Sequence, residues 1–179
     1  MKNVFKLVLT AVLVCSLMFS YVSCTEESGP KVDADGFISY TDLGLNFRLP
    51  ENMKQKNVQY AAIFFTDGKA DFFVNVFENE VIRDNWYLRE GFTVSEYTDR
   101  FIVENNYKCD FEYDEEKNVA TFGVHYPIYE SSDEPPEYYY HYITQEGSAV
   151  YIVIMSCPEE DFETYSPEFI KWQAFLSVG

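Results

Sequence analysis

Residues Ala149 to Ser156 constrain this chain more than any other stretch. Val150, Ile152 and Ile154 fall on one side of an extended segment there, and Tyr151, Val153 and Met155 on the other, because successive side chains alternate across a strand. A strand that is apolar on both sides has to be covered on both sides. The spacing therefore predicts a central strand with a packed layer above and below its sheet. Val58 to Phe65 and Ala70 to Phe77 carry the same signature, with Phe64 beside Phe65 and Phe73 beside Val74. Thr66-Asp67-Gly68-Lys69 joins them through an Asp-Gly tight-turn signal. The 15 tyrosines, 16 phenylalanines and 2 tryptophans exclude a disordered chain, since so much aromatic surface cannot be left in water.

The remaining elements follow from shorter-range signals. Phe37 to Tyr40, a turn at Asp42-Leu43-Gly44, and Leu45 to Leu49 stopped by Pro50 predict a hairpin. Residues 78–92 have no clean period and read as an excursion around Trp86 and Tyr87. Thr93 and Glu96 stand at capping-box spacing, and Val94, Tyr97 and Phe101 continue as the apolar side of a helix to about Glu104. Tyr107 to Asp114 alternates, with Cys109, Phe111 and Tyr113 on one side and Asp110, Glu112 and Asp114 on the other, so a strand apolar on one side is expected. Val119 to Pro127 and Glu137 to Gln145 are further strands, separated by a loop from Ile128 to Pro136. Ser166-Pro167-Glu168 predicts a helix start by cap, first-turn proline and acidic residue. Strands joined by short turns give a largely antiparallel central sheet, and the two-sided strands place helices on both of its faces, an α+β chain built as an α/β/α sandwich.

This order resembles the PsbP/Mog1-like family. The resemblance is carried by Phe37-Ile38-Ser39-Tyr40-Thr41-Asp42-Leu43-Gly44-Leu45-Asn46-Phe47-Arg48-Leu49-Pro50, similar to that family's strand, glycine turn and strand-to-proline entry, and by the closing aromatic helix to Ser177-Val178. It implies non-enzymatic roles: photosystem assembly and stabilisation, binding of a small GTPase, and many bacterial lipoproteins. It carries no functional residue to this chain, because no motif marks one.

The first 24 residues read as an address rather than as part of the fold. Lys2 and Lys6 precede and open an apolar segment, Leu7 to Val22, of 16 residues, about 24 Å as a helix against about 30 Å of bilayer hydrocarbon. That is short for a permanent span and fits a signal peptide over residues 1–23. Tyr21-Val22-Ser23-Cys24 resembles the lipobox of bacterial lipoproteins, with Tyr21 standing where that pattern prefers a branched aliphatic. Cys24 is therefore the expected lipidation site, a membrane anchor facing outward or into a periplasm, with cleavage and secretion or an uncleaved anchor as the alternatives. Residues 24–35 form a polar tether broken by Gly29-Pro30, and residues 36–179 form one globular domain.

Charge and side-chain chemistry bound the function. The leader holds two basic residues and no acid, so the chain from Cys24 onward carries 11 basic and 30 acidic residues, a formal charge of −19. Such a balance disfavours nucleic acid and anionic lipid surfaces; it serves solubility on a crowded surface or attracts cations or a basic protein partner. The two histidines, His125 and His141, both fall inside predicted strands, and no Gly-x-Ser-x-Gly elbow is present. No metal pattern involves Cys109 or Cys157, and no cofactor is expected. Outside the cytoplasm these two are either a disulfide closing 49 residues, worth about 4 kcal/mol, or two buried thiols. Glu130, Asp133, Glu134 and Glu137 beside Tyr138 and Tyr140 form an expected acidic, tyrosine-rich binding rim, with calcium as a second candidate ligand for its oxygens. The expected function is that of a non-catalytic, membrane-tethered binding or accessory module, against the alternatives of a hydrolase of cell-envelope or glycan substrates and a divalent-cation-binding module.

Overall fold

The computed structural model describes residues 31–126 and 135–179. Ten strands lie in chain order at Phe37–Asp42 (β1), Leu45–Pro50 (β2), Lys54–Gln55 (β3), Ile63–Thr66 (β4), Asp71–Glu78 (β5), Glu112–Asp114 (β6), Val119–Tyr126 (β7), Glu137–Glu146 (β8), Ala149–Pro158 (β9) and Ser177–Val178 (β10). Among the described residues three α-helices, Asn79–Trp86 (α1), Val94–Glu104 (α2) and Phe162–Gln173 (α3), and a 3-10 turn at Glu159–Asp161 complete the order.

The main sheet runs β3-β4-β5-β9-β8-β7-β6, every neighbouring pair antiparallel. Strand β9 sits at its centre, where two-sided apolarity requires it to be. On the first face Tyr151, Val153, Met155 and Cys157 of β9 join Phe72, Val74 and Tyr142. On the second face Val150 and Ile152 join Ile143, Ala120 and Phe122. Both outer strands are very short and polar or charged, which blunts edge-to-edge pairing.

The two faces are covered differently. Helices α1 and α2 lie on the second face. The first face is covered by α3 together with a small sheet, β1-β2-β10, so a hairpin takes half the place assigned to helices from sequence. Leu45, Phe47 and Leu49 of β2 point inward and are almost fully buried, and Phe47 stacks on Phe72 at 5.1 Å. The fold also takes in residues expected in the tether: Val32 pairs with Ile38, and Asp33 accepts the Phe37 amide at 3.0 Å and binds the Arg48 guanidinium.

Local signals with a nearby partner appear as read. Thr93 caps α2 by accepting the Glu96 amide at 3.2 Å while the Glu96 carboxylate accepts the Thr93 amide at 2.9 Å. Elsewhere packing moves the boundaries. The stretch 78–92 contains α1, which has no side-chain cap and one buried residue, Ile82. The strand expected over Tyr107–Asp114 shortens to β6, while Tyr107, Cys109 and Phe111 pack on the second-face core. The strand expected from Val58 begins at Ile63. Helix α3 starts four residues before Ser166 and holds Pro167 in its interior, because Phe162 is seated 4.6 Å from the Tyr138 ring and Tyr165 donates to Asp67 at 2.9 Å.

Two close approaches yield tests. The β1–β2 turn puts both Leu43 (φ 52°) and Gly44 (φ 80°) in the left-handed region, the geometry of a type I′ turn, which favours Asn-Gly. The Tyr151 hydroxyl fixes it by donating to the Leu43 carbonyl at 3.1 Å. Leu43→Asn keeps that bond and relieves the backbone, so it should raise unfolding free energy by about 1 kcal/mol in urea titration. On β7, a Cβ at Gly123 would collide with the Tyr138 hydroxyl. Gly123→Ala should therefore cost about 1–3 kcal/mol by the same measurement, with an effect near zero showing that Tyr138 swings away freely.

Candidate functional site

The residues singled out in the sequence are not brought together into one exposed site. Cys24, Glu130, Asp133 and Glu134 lie outside the described residues. Tyr138 and Tyr140 sit on the first face beneath α3 and serve its packing. Tyr138 stands 5.0 Å from His125 and 4.6 Å from Phe162, and stacks on Phe169; burial pushes its hydroxyl up to about 12. The Tyr140 hydroxyl donates to the Gln173 side chain. Glu137 accepts the hydroxyl of Tyr139, which points to the opposite face. The tyrosines expected at a solvent rim are thus half-buried, because α3 folds back over alternate residues of β8.

Cys109 and Cys157 are free thiols. Cys157 belongs to the first-face core and Cys109 packs on the second, so the sheet separates them and the disulfide is not formed. Burial, reinforced by Asp161, Glu159 and Glu137, pushes the Cys157 thiol up to about 11. Among the described residues no three acidic, histidine or cysteine side chains are grouped to hold a metal ion.

The surface that stands out is one the sequence marked only as an aperiodic excursion. Helix α1 forms a wall of three concavities. The first, about 200 Å³, is walled by Phe77, Val81, Ile82, Trp86 and Phe101, with the carboxamides of Asn75 and Asn85 on its lining. The second, about 430 Å³, shares Asn85 and Trp86 and adds Tyr87, Arg100 and Glu104. The third, about 250 Å³, is lined on the other side of α1 by Asn79, Glu80, Arg83 and Glu90. Phe77 and Val81 are 37% and 44% exposed, and Tyr87 is 88% exposed.

Packing and charge fix this surface in place. Trp86 meets Tyr97 edge-on at 5.7 Å and Phe101 at 5.5 Å. The helix ends when Tyr87 turns left-handed (φ 54°, ψ 41°) and Leu88 donates to the Arg83 carbonyl at 3.0 Å. That end usually belongs to glycine or asparagine, and a tyrosine there costs about 1–2 kcal/mol of backbone strain. Arg83 is paired with Asp84 at 2.8 Å, and Asp84, Glu80 and Glu90 all hold its guanidinium in the charged form. Arg100 is paired with Glu104 at 2.6 Å and Arg89 with Glu96 at 3.0 Å. The arrangement joins exposed apolar and aromatic walls to a net negative border.

No family model and no curated protein matches the chain by sequence. Solved structures do match its fold. The solution structure of cyanobacterial PsbP (CyanoP) from Synechocystis sp. PCC 6803 is similar at a TM-score of 0.55 and 16% identity, covering 85% of this chain and 98% of that one. The Ran-binding protein Mog1p of Saccharomyces cerevisiae is similar at 0.54 and 6% identity, covering 79% and 96%. The chain has the PsbP/Mog1-like fold expected from its opening hairpin and closing helix.

The two histidines have separate environments. His125, an exposed residue on the first face near the end of β7, lies 2.7 Å from Glu159 and packs beside Tyr138 and Phe162. His141 is 2% exposed, stacked on Phe122 at 4.4 Å, with Phe101 and Tyr107 around it. Its Nδ1 is buried without a hydrogen-bond partner among the described residues, and burial lowers its pKa from 6.5 to about 3. The folded state therefore holds a neutral imidazole while the unfolded chain takes up a proton below pH 6.5, so stability is full above that value. As pH falls it declines by about 1.4 kcal/mol per unit, levelling off near pH 3. His141→Phe keeps the stacking and removes the unpaired nitrogen. It should flatten this limb of a pH series of urea midpoints and add about 1 kcal/mol at pH 7; an unchanged acid limb would assign the proton uptake elsewhere.

Proposed function

We propose that this protein is a non-catalytic binding or accessory module, moored to the outer side of a bacterial membrane through a lipid on Cys24 and acting by protein contact through the surface around α1. The observation that carries the reading is the left-handed, almost fully exposed Tyr87 beside three concavities that share one short helix. Backbone strain that brings no burial in return marks a position kept for something other than stability. Mog1p is by name a Ran-binding protein, so contact with another protein is a use this fold supports, although a fold alone assigns none. The histidines favour the same reading: His141 is sealed among aromatic rings and His125 is engaged by Glu159.

The mooring rests on Lys2, Lys6, the apolar segment and the Val22-Ser23-Cys24 junction. Cells expressing the full chain and fed a labelled fatty acid should incorporate label into the wild type and not into Cys24→Ser. Label in neither, with protein in the medium, would mean secretion. For the contact surface, a photo-crosslinking amino acid placed at position 87 of the full chain should give a protein adduct in the cell envelope, and the same group at the exposed Ile170 of α3 should not. Adducts at neither position would end the binding reading.

A further inference from the structure

We infer that the α1 surface takes an extended, positively charged segment of a partner protein in which an apolar anchor side chain lies about three residues from a lysine or arginine. This deepens the binding reading and rests on it. The cavity of about 200 Å³ supplies the anchor site: an apolar cavity of about 150 Å³ accepts a benzene ring, so there is room for one large aliphatic or aromatic side chain. Phe77 and Val81 leave its mouth open to solvent. Asn75 and Asn85 add two carboxamides to an otherwise apolar lining. Each offers both a donor and an acceptor, the pairing that a peptide group presents.

The opposite side of α1 supplies the charge. Asp84, Glu80 and Glu90 surround the single guanidinium of Arg83, and Glu80, Glu90 and Arg83 line the cleft of about 250 Å³. Asn79, which lines the same cleft, has its Oδ1 buried without a donor. Its amide nitrogen is already used on the Gly147 carbonyl at 3.1 Å. A surplus of carboxylates calls for a ligand that brings positive charge and N–H donors. A helix is about 10 Å across and an extended chain advances about 3.3 Å per residue. A segment crossing α1 therefore reaches from the apolar cavity to the acidic cleft in about three residues. The chain's net charge of −17 steers the same class of partner from a distance.

The test uses the full chain in detergent and a panel of synthetic dodecapeptides. One set has leucine or phenylalanine three residues from lysine or arginine, a second has glutamate in place of the basic residues, and a third has the same composition with the spacing scrambled. Trp86 is the reporter, since Trp172 is 2% exposed in the core, and Trp86→Phe identifies its share of the signal. Saturable binding of the spaced basic peptides is expected. It should weaken at least about tenfold in Val81→Glu and in Glu80→Gln/Glu90→Gln, and be unchanged in Ile170→Glu. Tyr87→Asn guards against loss by misfolding: relieved of its strain, this variant should melt higher than the wild type and still bind more weakly. Equal binding of the glutamate peptides or of the scrambled set, or binding indifferent to Val81→Glu, overturns the inference. So does a self-association, seen by sedimentation, that Val81→Glu abolishes, because the occupant is then a second copy. Peptides that fail while position 87 still crosslinks a protein overturn the partner chemistry alone; failure of both removes the binding reading as well.

Discussion

The structure depends on one constraint, the burial of β9 on both faces. Val150, Val153 and Met155 are completely buried, two pointing to one side and one to the other. Burying such side chains is worth about 1.5–3 kcal/mol each, and that gain is available only if two separate layers form. The first face receives the stronger cover. A three-stranded sheet and α3 close over it, with Phe169 and Trp172 packed 5.3 Å apart. The Tyr151 hydroxyl reaches from the centre of the main sheet to the hairpin turn. Asp67 performs a similar task at the other end, accepting the Lys69 and Ala70 amides at 2.9 and 2.8 Å within its own turn and the Tyr165 hydroxyl from α3.

The second face is covered less completely, and the candidate site is a consequence. Helix α2 buries Val94, Tyr97, Thr98 and Ile102, but α1 has eight residues and buries Ile82 alone. A helix that short would not hold in isolation; it persists because Trp86 is clamped between the rings of Tyr97 and Phe101. What it fails to cover, at Phe77 and along the Val81 side, becomes the apolar cavity. The sheet's need for a lid and the lid's shortness are thus enough to produce an open apolar cavity, with no dedicated loop.

What was legible in the sequence divides along the same lines. The central strands could be read because two-sided apolarity has few other solutions, and α2 could be read because its capping box is closed by residues three apart. Helix α1 could not be read from local signals: Asn79, Asp84 and Asn85 are poor helix formers, no cap announces it, and the Trp86 packing that holds it comes from residues later in the chain. Pro167 misplaced the start of α3 because the cost of an interior proline is outweighed by the seating of Phe162 and Tyr165, contacts with partners 24 and 98 residues distant in the chain. The alternation of Tyr107, Cys109 and Phe111 was real, yet it serves contact with the second-face core rather than a ladder of strand hydrogen bonds. Tyr138 and Tyr140 were read as rim for a related reason. A tyrosine is apolar in its ring and polar at its tip, so only the arrival of α3 decides whether it covers a core or faces water.

Leu43 and Tyr87 show how stability and function can be told apart here. Both are bulky, both are exposed, and both have a left-handed backbone, at φ 52° and 54°. The strain at Leu43 has a structural return, since the tight turn presents its carbonyl to Tyr151 and brings Leu45 into the core at full burial. At Tyr87 the same backbone would end the helix as well with asparagine or glycine, and the ring, 88% exposed, contributes little to the core. A side chain that costs backbone energy and returns no burial is not accounted for by the stability of its own fold. Of its neighbours in the second concavity, Trp86 is packed against Tyr97 and Arg100 holds Glu104 through one guanidinium nitrogen, while the Arg100 Nε is buried without a partner among the described residues. Tyr87 is the part of the α1 surface on which the proposed binding reading rests.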